Sequence, residues 1–293
     1  MDVKDLSYYD EPLTEMFPQV ESEEEIEQYK IPEEEVEFYH ENGYVRNVRV
    51  LNDDQVERLR EELKDFFDEN HPGRELWYEF HMDESDDPDA QLFHSLGAWR
   101  IKEAFHDILW NPAVTVPATQ LLGGTVRLWH DQLFCKPPHH GGGVSWHQDY
   151  SYWTRTKPIN HLTCWIGLDD STEENGCVQY VPGTHEWELL PLTDLADNME
   201  AIKEVLTEEQ KAQFDPVPIE MEKGEASFHH PLTVHGSYGN NSDRPRRGVV
   251  INFIRDGVVS DTNEPLLEGC PPIPKGETVQ GRFHPVLLEN GHA

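Results

Sequence analysis

The sequence predicts a mainly β domain with flanking helices, its strands arranged as a two-sheet sandwich or a barrel. Three observations lead there. Apolar residues recur at helical spacing in the first part of the chain, up to about residue 124. From Thr125 the texture changes to short strand-like stretches separated by Gly and Pro turns. No internal repeat divides the 293 residues, and the one biased stretch is an acidic beginning.

The elements follow in order. Residues 1–31 are acidic and aperiodic, and are expected to form an N-terminal arm, extended or partly disordered. Residues 32–293 are expected to be one domain, with its β core at about 125–256. Glu33 to Asn42 has a helical pattern that stops at Gly43, a residue suited to the left-handed turn that ends helices. Asn52 caps a second helix, with Gln55 at the reciprocal capping position. Val56, Leu59, Leu63 and Phe66 form its core face. Residues 70–92 are expected to be loop. Trp99 to Trp110 repeats the helical period through Ile101, Phe105 and Ile108. Asn111-Pro112 opens a further helix that closes at Gly123-Gly124. Strands are then expected over Thr125 to Lys136, His161 to Leu168 and Cys177 to Val181. A helical insertion follows at Leu195 to Leu206. Strands resume near Pro218 to Met221, Ala226 to His230 and Arg247 to Arg255.

Composition narrows the function. A net charge of −34, from 57 acidic and 23 basic residues, repels phosphates and anionic membrane surfaces, so no nucleic-acid or membrane partner is expected. It also keeps a chain soluble where salt screens repulsion, which leaves two readings, a salt-adapted protein or simply an acidic surface. No apolar run of about 18 residues is present, so no membrane helix is expected. The beginning lacks a basic start followed by an apolar stretch, so no signal peptide is read there. Cys135, Cys164, Cys177 and Cys270 contain no C-x-x-C pair and are expected to be reduced core thiols in a cytoplasmic protein.

The chemistry starts at His147-Gln148-Asp149, with His235 far downstream and Arg246 shortly after it. Two imidazoles and one carboxylate bind non-haem Fe(II) on one face and leave the other open. With 16 His and 22 Asp, roughly one H-x-D triplet is expected by chance, and this chain has two. The other, His81-Met82-Asp83, lies in an acidic, breaker-rich stretch and reads as a solvated loop. Val144 to Tyr150 reads as a strand or strand end, where residues two apart share a face. His147, Asp149 and His235 are therefore the candidate metal ligands and catalytic centre. Arg246 is placed to grip a carboxylate bidentately, and Ser237 to add a hydroxyl donor. The residues leave open which of Arg244, Arg246 and Arg247 faces inward. His139-His140 reads as a loop over the site mouth, His185 as a turn residue, and only one of His229 and His230 can face inward. Hydrolase elbows, Walker loops and dinucleotide-binding glycine patterns are absent from the sequence.

WHQDYSYW (146–153), TCWIGLDDSTEENGCVQYVPGTH (163–185) and VHGSYGNNSDRPRRGVVINF (234–253) together resemble the phytanoyl-CoA dioxygenase family of Fe(II)/2-oxoglutarate oxygenases. The segment 33–63 is similar to that family's beginning, and the resemblance covers about residues 32–256. It implies a double-stranded β-helix, a jelly-roll or cupin-like fold. It implies Fe(II), 2-oxoglutarate and O2 as cofactor and co-substrates. It assigns the metal to His147, Asp149 and His235, and 2-oxoglutarate to Arg246 with Ser237, Trp165 and Gln132. It marks Trp153, Lys136 and His130 as substrate contacts. Family members that hydroxylate ectoine carry amides where this chain has His130 and Phe134, so ectoine is not the expected substrate. Family halogenases replace the ligand carboxylate with a small residue, so Asp149 implies hydroxylation. The negative charge disfavours a polyanionic CoA thioester and points to a smaller or neutral organic substrate. Two other readings remain at this stage: a metal-dependent cupin-like enzyme without 2-oxoglutarate, and a non-catalytic small-molecule binding protein.

Overall fold

In the computed structural model, residues 3–20, 22–68, 71–81, 93–139, 142–192 and 198–289 are described. The acidic beginning is extended over much of its length but fastened to the domain. It contains the short helix α1 (Glu23–Glu27), closed by a Ser22–Glu25 capping box. Phe17 and Ile26 are buried. Asp5 pairs with Arg100 at 2.6 Å. The Asp107 carboxylate accepts the Leu13 and Thr14 backbone N–H groups at 2.8 and 2.7 Å.

α2 (Glu33–Asn42) ends where expected, at Gly43, whose φ of 82° is available to glycine without strain. The chain turns there straight into β1 (Tyr44–Arg49). α3 (Asp53–Lys64) has the anticipated Asn52–Gln55 capping box. Val56, Leu59, Leu63 and Phe66 are all buried. The loop expected at 70–92 instead contains β2 (Glu79–His81), which pairs with β3 (Phe93–Leu96); residues 82–92, including Asp83, lie outside the described residues. The helical pattern of 99–110 is broken into short pieces, of which α4 (Glu103–Asp107) is α-helical. α5 (Pro112–Leu122) runs from its Asn111 cap to Gly123.

The remaining strands are β4 (Val126–Lys136), β5 (Val144–His147), β6 (Thr156–Lys157), β7 (His161–Gly167), β8 (Val178–Tyr180), β9 (Val217–Pro218), β10 (Glu225–His229), β11 (His235–Ser237), β12 (Arg246–Arg255), β13 (Val259–Ser260) and β14 (Val286–Leu288). The strand expected at Pro218 to Met221 shrinks to β9 and a single bridge between Ser171 and Met221. Part of the helical insertion lies outside the described residues; its described part includes α6 (Ile202–Val205), and α7 (Glu208–Gln213) follows. The larger sheet runs β1-β10-β7-β12-β4-β3-β2, with β14 also on β4. The smaller runs β5-β11-β8-β9, and all named pairs are antiparallel. This is the mainly β, jelly-roll architecture that was expected.

Side-chain parity explains how the larger sheet positions a site. On β7, Leu162, Cys164 and Ile166 join the main core together with Val56, Leu59, Phe105 and Val114 from the helices. Thr163 and Trp165 point the other way, into a cavity. On β12, Val249, Ile251 and Phe253 belong to the core, while Arg246 and Val250 line the cavity. On β10, Phe228 is core and His229 lines the cavity. One face is thus sealed by helices, and the other is left for chemistry.

Candidate metal centre and its cavity

β5 and β11 are neighbours in the smaller sheet, and His147 and His235 stand directly opposite each other across that pair. Their ring centres are 4.2 Å apart. The strand ends at His147, and Asp149 opens the short 3-10 turn that follows, so the triplet sits at a strand end. Ligand atoms of His147, Asp149 and His235 all lie within 4.8 Å of one another. Asp149 Oδ1 is 3.4 Å from His147 Nε2 and 3.5 Å from His235 Nε2.

Hydrogen bonds aim each of these groups. His147 Nδ1 donates to the Ser145 carbonyl at 2.8 Å, and His235 Nδ1 to the Thr233 carbonyl at 2.9 Å. With Nδ1 protonated in this way, each Nε2 turns an unprotonated lone pair to the centre. Burial, and then the neighbouring His147, pull His235 well below the usual histidine range, which keeps it neutral. Asp149 is also buried, which opposes its charge. The neighbouring imidazoles of His235, His147 and His229 outweigh that, and its carboxyl is held well below the usual range. Asp149 Oδ2 accepts from the Thr163 hydroxyl at 2.6 Å and from His229 Nε2 at 2.9 Å. Oδ1 is therefore the oxygen left for a metal.

The site's cavity measures about 380 Å³. His130, Gln132, Trp153, Trp165, Ser237 and Arg246 all line it with the three ligand residues. Lys136 does not; it is fully buried behind the wall, and its role as a cavity contact is corrected. The three arginines have different fates. Arg244 is exposed, and Arg247 holds Asp169 through two bonds of 2.7 Å. Arg246 is 1% exposed, and its Nε and Nη1 have no hydrogen-bond partner among the described residues. Burial pulls its pKa down to about 10, so it remains cationic at neutral pH. Its guanidinium lies 5.1 Å from the Trp165 ring centre, close enough for a cation–π contact. That indole fits because residue 248 is glycine: a Cβ there would sit 2.5 Å from Trp165.

Several residues of the site had not been assigned to it from the sequence. Thr163 and His229 hold Asp149, and strand parity was the signal that offered them. His81 and His94 line the cavity from β2 and β3, with His94 stacked on Phe134 at 4.4 Å. Leu266 and Leu267 line it from beyond the expected β core. His230 faces away from the centre, beside His185. Burial lowers both His130 and His161 to about 3, so these rings next to Trp153 are neutral.

The donor set suits iron and a dicarboxylate: two neutral imidazoles, one ionised carboxylate oxygen and a buried guanidinium with unclaimed N–H groups. Comparisons with known proteins agree. The family model for phytanoyl-CoA dioxygenase (PhyH) matches residues 39–248. The peroxisomal phytanoyl-CoA dioxygenase of Mus musculus is 27% identical over 231 residues, covering 75% of this chain and 67% of that protein. The L-proline trans-4-hydroxylase of Streptomyces griseoviridis is 25% identical over 251 residues, covering 80% and 88%. The crystal structure of a non-heme alpha ketoglutarate dependent carbocyclase from nogalamycin biosynthesis superposes with a TM-score of 0.72 at 20% identity, covering 92% of this chain and 100% of that one. With motifs, fold and family model in agreement, the chain belongs to the phytanoyl-CoA dioxygenase family of Fe(II)- and 2-oxoglutarate-dependent oxygenases.

Proposed function

We propose that this oxygenase hydroxylates a small organic substrate, holding Fe(II) with His147, Asp149 and His235 and the remote carboxylate of 2-oxoglutarate with Arg246 and Ser237. Arg246 carries the reading. A buried guanidinium with two unclaimed donors calls for an anion, and a carboxylate matches its fork. Iron with 2-oxoglutarate and O2 supplies the oxidation itself, releasing succinate and CO2. The chain's own residues orient and exclude. Trp165 supports the guanidinium, and Gln132 lines the same cavity. Thr163 and His229 leave Asp149 one oxygen for the metal. Trp129 and Trp153, both buried, give the cavity an aromatic wall. Asp149 fills the ligand position that a halide would need, which supports hydroxylation.

The substrate reading is a compact, uncharged molecule with an apolar body, fitting against Trp153, His130 and Leu266. Among the described lining residues the only guanidinium or ammonium groups are those of Arg246 and Arg155. Arg155 donates to the Pro265 and Leu266 carbonyls at 2.6 and 2.9 Å. Besides Arg246, Arg155 is therefore the one such cation on the described wall, fewer than the several phosphates of a CoA thioester would call for. The net charge of −34 supports the same choice and disfavours nucleic acid. A cytoplasmic location is supported by four buried, unpaired cysteines. Among the described residues no helix is long and apolar enough to cross a membrane.

The test needs no substrate. Fe(II) and then 2-oxoglutarate are added anaerobically, and the visible charge-transfer band is followed in wild type and Arg246→Ala. A saturable band is expected, with affinity weakened roughly 30-fold or more in the variant, as when one partner of a buried charge pair is removed. Absence of the band with iron bound would refute the co-substrate assignment.

A further inference from the structure

We propose that Lys136, from behind the cavity wall, is the positioning residue of the 2-oxoglutarate subsite: it sets the Ser237 hydroxyl to donate towards the carboxylate held by Arg246. The inference rests on the reading of that subsite given above. Lys136 ends β4, directly opposite Arg246 across the β4–β12 pair. Its side chain is 0% exposed. The ammonium donates to Ser237 Oγ at 2.8 Å and to the Tyr238 carbonyl, with the Ser237 carbonyl at 3.4 Å. Three donors thus face three neutral acceptors, and none of its hydrogen-bond partners is a carboxylate.

Two consequences follow. Ser237 Oγ receives a proton from Lys136, so its own O–H is free to point elsewhere. No described residue accepts it, and Ser237 lines the cavity while Lys136 does not. The hydroxyl proton is thereby directed to the same space as the unclaimed Nε–H and Nη1–H of Arg246. Second, Lys136 and Arg246 are buried cross-strand neighbours, and burial and then the Arg246 charge pull the lysine well below its usual range. A carboxylate arriving beside them favours the charged form of the lysine.

Lys136→Met takes the donor away from Ser237 Oγ and from the Ser237 and Tyr238 carbonyls, so a lower melting temperature is expected together with lost recognition of the remote carboxylate.

The experiment compares two ketoacids on the Fe(II)-loaded protein under anaerobic conditions, 2-oxoglutarate and 2-oxobutyrate. Both present the same chelating end, and only the first has a remote carboxylate. Charge-transfer titrations give dissociation constants for wild type, Lys136→Met, Ser237→Ala and the double variant. Lys136→Met is expected to weaken 2-oxoglutarate about tenfold and leave 2-oxobutyrate unchanged, a shift in ratio that a general structural defect does not produce. Ser237→Ala should match it, and the double variant should be little worse than either single one. Equal weakening of both ketoacids, no weakening, or full additivity in the double variant overturns the proposal. Lys136→Leu serves the same comparison, with the same outcomes, if the methionine variant does not fold. A wild type that does not prefer 2-oxoglutarate refutes the Arg246 subsite itself, which is a separate result.

Discussion

At the scale of single residues, Asp149 shows how neighbours set the properties of a candidate ligand. Its two oxygens are inequivalent because Oδ2 is claimed by the Thr163 hydroxyl and the His229 imidazole. The carboxylate can only accept, so His229 Nε2 is the donor and Nδ1 takes the Tyr180 hydroxyl at 2.9 Å. The Tyr180 oxygen lies 2.8 Å from Ser227 Oγ, which extends the chain of bonds into β10. Loss of such supporting partners typically weakens metal binding 10–100-fold. His229→Leu is expected to lower Fe(II) affinity by about that amount in a chelator-competition titration, with His229→Gln recovering part of it through its amide N–H. Unchanged affinity in His229→Leu would mean that this bond does not orient Asp149. None of this was spelled out by the sequence motif, because H-x-D names the ligands and leaves their supports unnamed.

Elements were legible where a local signal exists. The α3 capping box and the Gly43 and Gly123 stops are encoded within a few residues and were readable. β1 was not, and its geometry explains why. Asn47 takes a φ of 58°, and the register with β10 shifts between Val45 and Val48, so strict alternation is broken. β2 and β3 are only three and four residues long. The anchoring of the N-terminal segment was not legible, because its anchor, Asp107, is far away in sequence. Burial raises the Asp107 pKa, yet hydrogen bonds from His106, Leu13 and Thr14 outweigh burial, and the net shift is downward. A lowered carboxyl stabilises the fold above its unfolded value of about 3.9, and that stability is lost as pH falls through the folded value. Asp107→Asn at neutral pH leaves one buried N–H facing an amide donor, at a cost of roughly 1–3 kcal/mol. Faster amide exchange at Leu13 and Thr14 and a lower melting temperature are expected. Native protection there would show that the segment is held by other contacts.

Across the whole molecule, charge is the dominant property. A net charge of −34 concentrates repulsion that dilute buffer leaves largely unscreened. The screening length falls from about 10 Å at 0.1 M to about 3 Å at 1 M salt. Melting temperature is therefore expected to rise with NaCl over that range, and a fall would end the salt-adaptation reading. Ion pairs oppose the trend weakly. Several, such as Lys211–Glu208 and Lys203–Glu200, are exposed and contribute little. The cavity is equally a property of the whole. Its walls come from both sheets, including β2 and β3, and from Leu266 and Leu267 past β13.

The sequence alone determined the residue types that carry chemistry and the face each strand presents. Both depend on local spacing, as on β7, where Thr163 and Trp165 share a parity. Tertiary structure decided which neighbour each face meets. The order of strands makes His147 and His235 cross-strand partners, buries Arg246 while Arg244 stays exposed, and gives Arg247 to Asp169. It also moves Lys136 from cavity contact to buried support of Ser237. The physical reason is that hydrogen-bonded register between distant strands is set by packing of the whole sheet, and periodicity within one strand carries no record of it.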